Sequence, residues 1–97
     1  MAWTVVYHPD VRQDFAKLGK RASMAVMRAI DERIANGEPD KLGKPLTGAL
    51  KGHRRIRTGQ TRIVYRVSAA IVEVLIVAVG MRRDDEIYEA AERRSGS

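Results

Sequence analysis

The chain has 97 residues, 44% of them hydrophobic and 31% charged, with no cysteine and a net charge of +6. That length suits one domain with a single small core, and the apolar share is too high for a disordered chain. Without cysteine there are no disulfide staples and no thiolate metal sites, which fits a reducing, cytoplasmic setting. His8 and His53 come with no ligand cluster, so neither a metal nor a cofactor is expected.

The opening MAWTVVYHP has no basic region before its short apolar run, so no signal peptide is expected. Residues 2–7 are β-branched and aromatic and predict a strand. Pro9 suits the first position of a helix, and Val11, Phe15 and Leu18 recur at helical spacing, so a helix is predicted over 9–18, ended by Gly19. A second helix is predicted over 21–36, with Met24, Met27, Ile30 and Ile34 as its apolar stripe and Asn36-Gly37 as its close. The two make a helical hairpin.

Gly37, Gly43, Gly48 and Gly52, with Pro39 and Pro45, mark 37–52 as a connecting loop. Strands follow at about 53–58 and 61–67, joined by the two-residue turn Gly59-Gln60. Residues 68–70 turn again into the longest apolar stretch. At 69–80 it is too short for a membrane helix, which needs about 20 residues, and Glu73 interrupts it, so a strand is predicted over 71–80. Asp84, Asp85 and Glu86 favour a helix N-terminus, and Ile87, Tyr88, Ala91 and Arg93-Arg94 complete a short helix. The order β-α-α-β-β-β-α describes an α+β domain spanning the chain: an N-terminal strand and helical hairpin on a small twisted antiparallel sheet, with a short C-terminal helix. The last three strands form a meander; the place of the first is left open.

The charge is concentrated in one segment. Residues 1–40 carry six cations and six anions, residues 41–66 eight cations and no anion, and residues 67–97 four cations and six anions. Strand alternation sorts this basic segment by face. Ile56, Ile63, Tyr65 and Val67 fall on one side; Arg55, Arg57, Arg62, Val64 and Arg66 fall on the other. If the first set packs on the helices, the guanidiniums line the open face. Like charges across strands oppose folding by a few tenths of a kcal/mol each, so such a face implies a polyanion that it is built to hold. Trp3, Phe15 and Tyr65 read as core, His8 and His53 as surface or loop residues, and Met24 and Met27 as core packing or the seat of a partner helix.

Two stretches resemble the RelE/ParE toxin superfamily, in its RelE-like branch. They are L-K-G-x-x-R-I-R-x-G-x-x-R-I-V-Y from Leu50 to Tyr65 and V-x-V-G-x-R-R-x-x-x-I-Y from Val77 to Tyr88. The resemblance implies the toxin of a type II toxin–antitoxin system, a ribosome-dependent endoribonuclease that cuts mRNA in the A site. A ribose 2′-hydroxyl attacks the adjacent phosphate, without a metal, and leaves a 2′,3′-cyclic phosphate and a 5′-hydroxyl. It implies catalytic roles for Arg55, Arg57, Arg62, Arg82 and Tyr88, with Lys44, Lys51, Arg54, Arg66 and Arg83 as further RNA contacts. It also implies a cognate antitoxin and the ribosome as partners, with operator DNA reached only through the antitoxin complex.

The chemistry is consistent with the residue types. Metal-free phosphoryl transfer needs cations against the charge of the phosphorane, and arginine grips phosphate oxygens in pairs. Tyr88 is the candidate base for the 2′-proton, and Arg82 the candidate group at the leaving 5′-oxygen. One departure stands out: RelE has lysines where this chain has Arg55 and Arg57, and arginine is a clamp rather than a base. Two other readings remain at this point. The ParE branch shares the fold but poisons DNA gyrase and lacks the ribonuclease set, so retention of Arg82 and Tyr88 favours RelE. A non-catalytic nucleic-acid-binding module would show the same basic face but would need no tyrosine among the arginines.

Overall fold

The computed structural model describes residues 2–81 and 85–96. The elements in chain order are β1 (Thr4–Tyr7), α1 (Val11–Leu18) and α2 (Lys20–Ala29), the last running on as a π-helical turn at Ile30–Ala35. Then come β2 (Lys44–Pro45), a 3-10 turn at Gly48–Leu50, β3 (His53–Thr58), β4 (Thr61–Ser68), a second 3-10 turn at Ala69–Ile71, β5 (Glu73–Met81) and α3 (Glu86–Ser95). The α+β class and the order of the main elements are as the sequence predicts.

The sheet holds five strands in the order β1-β5-β4-β3-β2. The meander β3-β4-β5 is antiparallel, as expected. The unplaced first strand joins at the β5 edge in parallel, Thr4 opposite Glu73 and Tyr7 opposite Ile76, so the sheet is mixed. The long loop contributes a two-residue strand: Lys44 pairs with Arg55 and Pro45 with Arg54. Gly43, at φ 79°, makes this approach feasible, since a Cβ there would lie 2.6 Å from the Arg55 carbonyl oxygen.

One face of the sheet packs on the helical hairpin. Ile56, Ile63, Tyr65, Val74, Ile76 and Val79 meet Val11, Val26, Ala29, Ile30 and Ile34 there. Each fully buried aliphatic side chain in this layer contributes about 1.5–3 kcal/mol. The apolar stripe of α2 differs from the one expected. Val26 and Ala29 turn inward, whereas Met24 and Met27 are 63% and 49% exposed. Small residues at the contact let α2 approach the sheet, and the longer methionines point outward. The π-helical turn widens the helix at its end, with the Asn36 N–H donating to the Asp31 carbonyl at 3.1 Å, and both Ile30 and Ile34 stay in the core.

The other face is not open. α3 lies on it, and Ile87 and Ala91 pack against Val64, Val77 and Ala78 together with Leu46 and Leu50 from the long connection. A bulge in β5 prepares this contact. The register slips by one residue between Val64/Ala78 and Tyr65/Ile76, so Val77 and Ala78, adjacent in sequence, both join the α3 side. Gly80 allows α3 to come close, since a Cβ would lie 3.2 Å from Ile87.

α3 is tied down at both ends. Near its C-terminus, Arg94 forms a two-pronged pair with Asp14 of α1, Nη1 to Oδ2 at 2.7 Å and Nη2 to Oδ1 at 3.0 Å. The pair completes backbone hydrogen bonding that β1 leaves open. Beyond Tyr7, Asp14 accepts from the Val79 N–H at 2.9 Å, and Arg94 donates to the Val77 carbonyl at 3.0 Å. The Asp14 hydrogen bonds raise the Arg94 pKa above its ordinary value, against the opposing effect of burial.

Candidate active site and basic face

Residues of opposite strand parity put Arg55 and Arg57 on the α3 side of β3, and Arg62, Val64 and Arg66 on the same side of β4. In register, Arg57 faces Arg62, Arg55 faces Val64 and His53 faces Arg66. The alternation read from the sequence is thus realised, but with α3 laid across its centre. Tyr88 on the first turn of α3 sits at the centre of the cluster. Its hydroxyl oxygen accepts from Arg55 Nη1 at 3.2 Å and from Arg62 Nη1 at 3.1 Å. The Arg62 guanidinium also stands over the Tyr88 ring, 5.6 Å from its centroid.

Two guanidiniums therefore converge on one hydroxyl oxygen. The Nε–H groups of both arginines are buried and find no acceptor among the described residues. Leaving such donors unsatisfied costs on the order of 1–3 kcal/mol each. The arrangement is expensive for folding alone, and an anion with several oxygens would relieve it.

The remaining expected residues divide clearly. Arg57 is exposed beside Arg62, and its carbonyl accepts from Arg33 Nη1 at 2.6 Å. Lys44 is exposed on β2 next to Arg55, and Lys51 is exposed just before β3. Arg66 is exposed four residues along β4 from Arg62. Arg54 is not brought to this face. It turns the other way, with Nε donating to the Leu42 carbonyl at 2.7 Å and Nη2 to the Gly43 carbonyl at 3.4 Å, and so holds the long loop in place. Arg82 and Arg83 lie outside the described residues.

His53 differs from expectation: it is only 5% exposed. Its Nδ1 lies 3.2 Å from the Leu50 carbonyl and its Nε2 3.0 Å from Ser95 Oγ, so it bridges the start of β3 to the end of α3. Burial lowers its pKa below the ordinary histidine value, and the Arg66 charge acts in the same direction, against the Leu50 hydrogen bond. Its position at the start of a strand beneath a terminal helix left no signal in sequence spacing. Tyr65 is core, as expected. It is fully buried, its hydroxyl lies 2.9 Å from the carbonyls of Pro39 and Leu42, and burial raises its pKa. Trp3 and Phe15 are partly buried against the same core.

No group of three or more potential metal ligands occurs among the described residues, and no described helix is long and apolar enough to cross a membrane. Among the described residues, the site is a cationic face with the Tyr88 hydroxyl at its centre.

A small α+β scaffold with a cationic sheet face under a terminal helix is the architecture of toxins from type II toxin–antitoxin systems. The model of the ParE toxin of the type II system parDE matches residues 5–86, and the chain belongs to this RelE/ParE toxin superfamily. Toxin RelG of Mycobacterium tuberculosis is 33% identical over 84 residues, covering 87% of this chain and 95% of that protein. The RelBE2 toxin–antitoxin complex from the same organism superposes with a TM-score of 0.77 at 32% identity, over 84% of this chain and 100% of the other. A free, doubly substituted E. coli RelE gives the same TM-score at 23% identity over 97% and 98% of the two chains, a likeness of fold.

Proposed function

We propose that this toxin is an endoribonuclease that cleaves mRNA in the ribosomal A site, without a metal, by attack of a 2′-hydroxyl on the neighbouring phosphate. The observation that carries the reading is the Tyr88 hydroxyl held between Arg55 and Arg62. In this scheme Arg55, Arg57 and Arg62 hold the scissile phosphate and offset the charge that builds on it. Tyr88, whose oxygen accepts from both arginines, takes the 2′-proton. Arg82 acts at the leaving 5′-oxygen. A protein that acts by binding alone would gain from the two guanidinium donors but has no need of the tyrosine hydroxyl between them.

Relatives of this chain are found in complexes with antitoxins, among them the M. tuberculosis RelBE2 complex and a RelE–RelB complex from Pyrococcus horikoshii. We extend that partnership to this chain: a cognate antitoxin with an acidic or amphipathic segment that covers the basic face. The cytoplasm, where ribosomes are, is the compartment this function requires.

The test is cell-free translation with mapping of mRNA ends, comparing the wild type with Tyr88→Phe. The wild type should cut within coding regions only when ribosomes translate them. Tyr88→Phe keeps the ring and its packing but should cleave about tenfold more slowly or worse at matched ribosome occupancy. Intact mRNA combined with gyrase-linked DNA breaks would overturn the reading.

A further inference from the structure

The Tyr88 cluster occupies one end of α3. At the other end lies a polar cavity of about 240 Å³. Its polar walls are His8 just after β1, His53 on β3, Arg66 on β4, and Arg94 and Ser95 on α3; among the described residues no carboxylate lines it. Arg94 is engaged by Asp14. Arg66 is different: it makes no hydrogen bond or ion pair among the described residues and faces His53 in register. An exposed guanidinium with no partner among the described residues, beside such a cavity, is a strong attractor for an anion.

The hydrogen-bond inventory points the same way. The Leu50 carbonyl can only accept, so its bond requires a proton on His53 Nδ1. Ser95 has one hydroxyl proton, and the Ala91 carbonyl takes it at 2.6 Å. The 3.0 Å contact between Ser95 Oγ and His53 Nε2 is then a hydrogen bond only if Nε2 carries a proton too. All three bonds form together only around an imidazolium. The groups that face His53 oppose that charge: Arg66 from β4 and Arg94 from α3 are cations, and His8 offers no negative charge. The nearby acids among the described residues are already engaged: Asp14 on α1 binds Arg94 and the Val79 N–H, and Asp10 lies 3.7 Å from Arg94 Nε and 3.9 Å from His8 Nδ1, so these two carboxylates stand against Arg66, Arg94 and the imidazolium. The network is one negative charge short.

We propose that this cavity is a phosphate-binding site separate from the Tyr88 cluster, in which Arg66 holds the anion beside His53. A bound phosphate supplies the missing charge, and His53 then takes up a proton and completes its bonds to Leu50 and Ser95. Four residues of β4 separate Arg66 from Arg62, about 13 Å at the usual strand rise. Both sites thus lie on one sheet face, on either side of the part that α3 covers. If the phosphate belongs to an RNA backbone, a reading that rests on the function proposed above, the cavity holds a nucleotide away from the cleaved bond and fixes the strand's direction.

The chain has two histidines, so imidazole NMR of the full protein yields two sets of ring signals. Titration with inorganic phosphate at low salt should shift the His53 ring signals saturably and raise the His53 titration midpoint, as linkage requires. Arg66→Ala should weaken that response about tenfold or more, as expected for one lost charge-assisted contact. Arg66→Lys should restore part of it. Arg66 is exposed, and an amide spectrum checks that both variants fold. Arg55→Ala, which strips the Tyr88 cluster, should leave the His53 response intact. No saturable His53 response, or an equal response in Arg66→Ala, overturns the proposal.

A short single-stranded RNA then separates the sources. The same His53 shift, with the slope of log K against log salt flattened by about 0.7 in Arg66→Ala, assigns the site to RNA backbone. A response to inorganic phosphate but none to RNA supports a site for free phosphate or a mononucleotide. Failure of mRNA cleavage alone would refute the catalytic reading and leave the phosphate titration standing.

Discussion

Replacing Asp14 by alanine should be among the most damaging single changes outside the hydrophobic core. The carboxylate accepts three hydrogen bonds: from the Val79 N–H at 2.9 Å and from Arg94 Nη1 and Nη2 at 2.7 and 3.0 Å. The paired side chains are only 12% and 10% exposed. Without Asp14, the Arg94 guanidinium keeps the Val77 carbonyl at 3.0 Å and a distant Asp10 carboxylate at 3.7 Å from its Nε. Removing one partner of a buried ion pair costs about 3–5 kcal/mol, because the other charge stays buried. Asp10 and the edge position place the loss at the lower end, about 3 kcal/mol. In a domain of this size each kcal/mol lowers Tm by about 4–8 °C, so a fall of roughly 12–24 °C is expected. Urea and thermal unfolding followed by circular dichroism would measure it. Asp14→Asn, which retains an acceptor for Val79, should lose less, and a double-mutant cycle with Arg94→Leu should show coupling of about 1 kcal/mol or more. A loss for Asp14→Ala within about 0.5 kcal/mol would refute the claim that this pair anchors α3.

Three further outcomes follow from the geometry. Arg55→Ala with Arg57→Ala should weaken RNA binding and flatten its salt dependence by about 1.4 in slope for two lost phosphate contacts; an unchanged slope in a filter-binding series would remove β3 from the RNA path. His53 should make the fold acid-sensitive. Its folded pKa lies below the unfolded value of about 6.5, so the unfolded chain binds more protons as pH falls. Stability should hold above about pH 6.5 and decline through the window down to the folded pKa. His53→Gln should show less of this decline when Tm is compared at pH 7.5 and 5.5, and equal declines would exclude His53 as the cause. Val72 sits in the left-handed region at φ 52°, ψ 50°, where a β-branched side chain is strained. Val72→Gly should therefore raise stability by about 0.5–1 kcal/mol in urea unfolding after the entropy cost of glycine, whereas a loss would mean that Val72 packing outweighs the strain.

The residues legible in the sequence were those whose position follows from local periodicity. Strand alternation alone places Arg55, Arg57, Arg62 and Arg66 opposite Ile56, Ile63 and Tyr65, and the structure keeps that division. The resemblance paired Tyr88 with the arginines, and the structure brings its hydroxyl to Arg55 and Arg62. What spacing could not supply was the covering of the second face. The two-way alternation says that Val64 is apolar among arginines but not that Ile87 and Ala91 will pack on it. The bulge at Val77 breaks the alternation on which such a reading depends. Arg54 belongs to a basic run by sequence, yet parity sends it to the hairpin side, where loop carbonyls take up its donors. The Asp14–Arg94 pair and the burial of His53 both depend on where α3 ends, a contact across 80 and 42 residues that no local pattern encodes.

The way the sheet ends has a further consequence. On one side, β5 runs past β1, and Asp14 and Arg94 occupy the Val79 N–H and the Val77 carbonyl there. On the other side, β2 is only two residues long and contains a proline, and the Arg33 guanidinium takes the Arg57 carbonyl. Both margins are thus met by charged side chains or by a residue that cannot donate, the devices that stop strands of separate molecules from zipping together. A chain with this many β-branched residues, made in quantity without its partner, should stay dispersed while folded. Its tendency to clump should track the loss of the α1–α3 tie, so that Asp14, away from the Tyr88 cluster, governs shelf life as well as melting temperature.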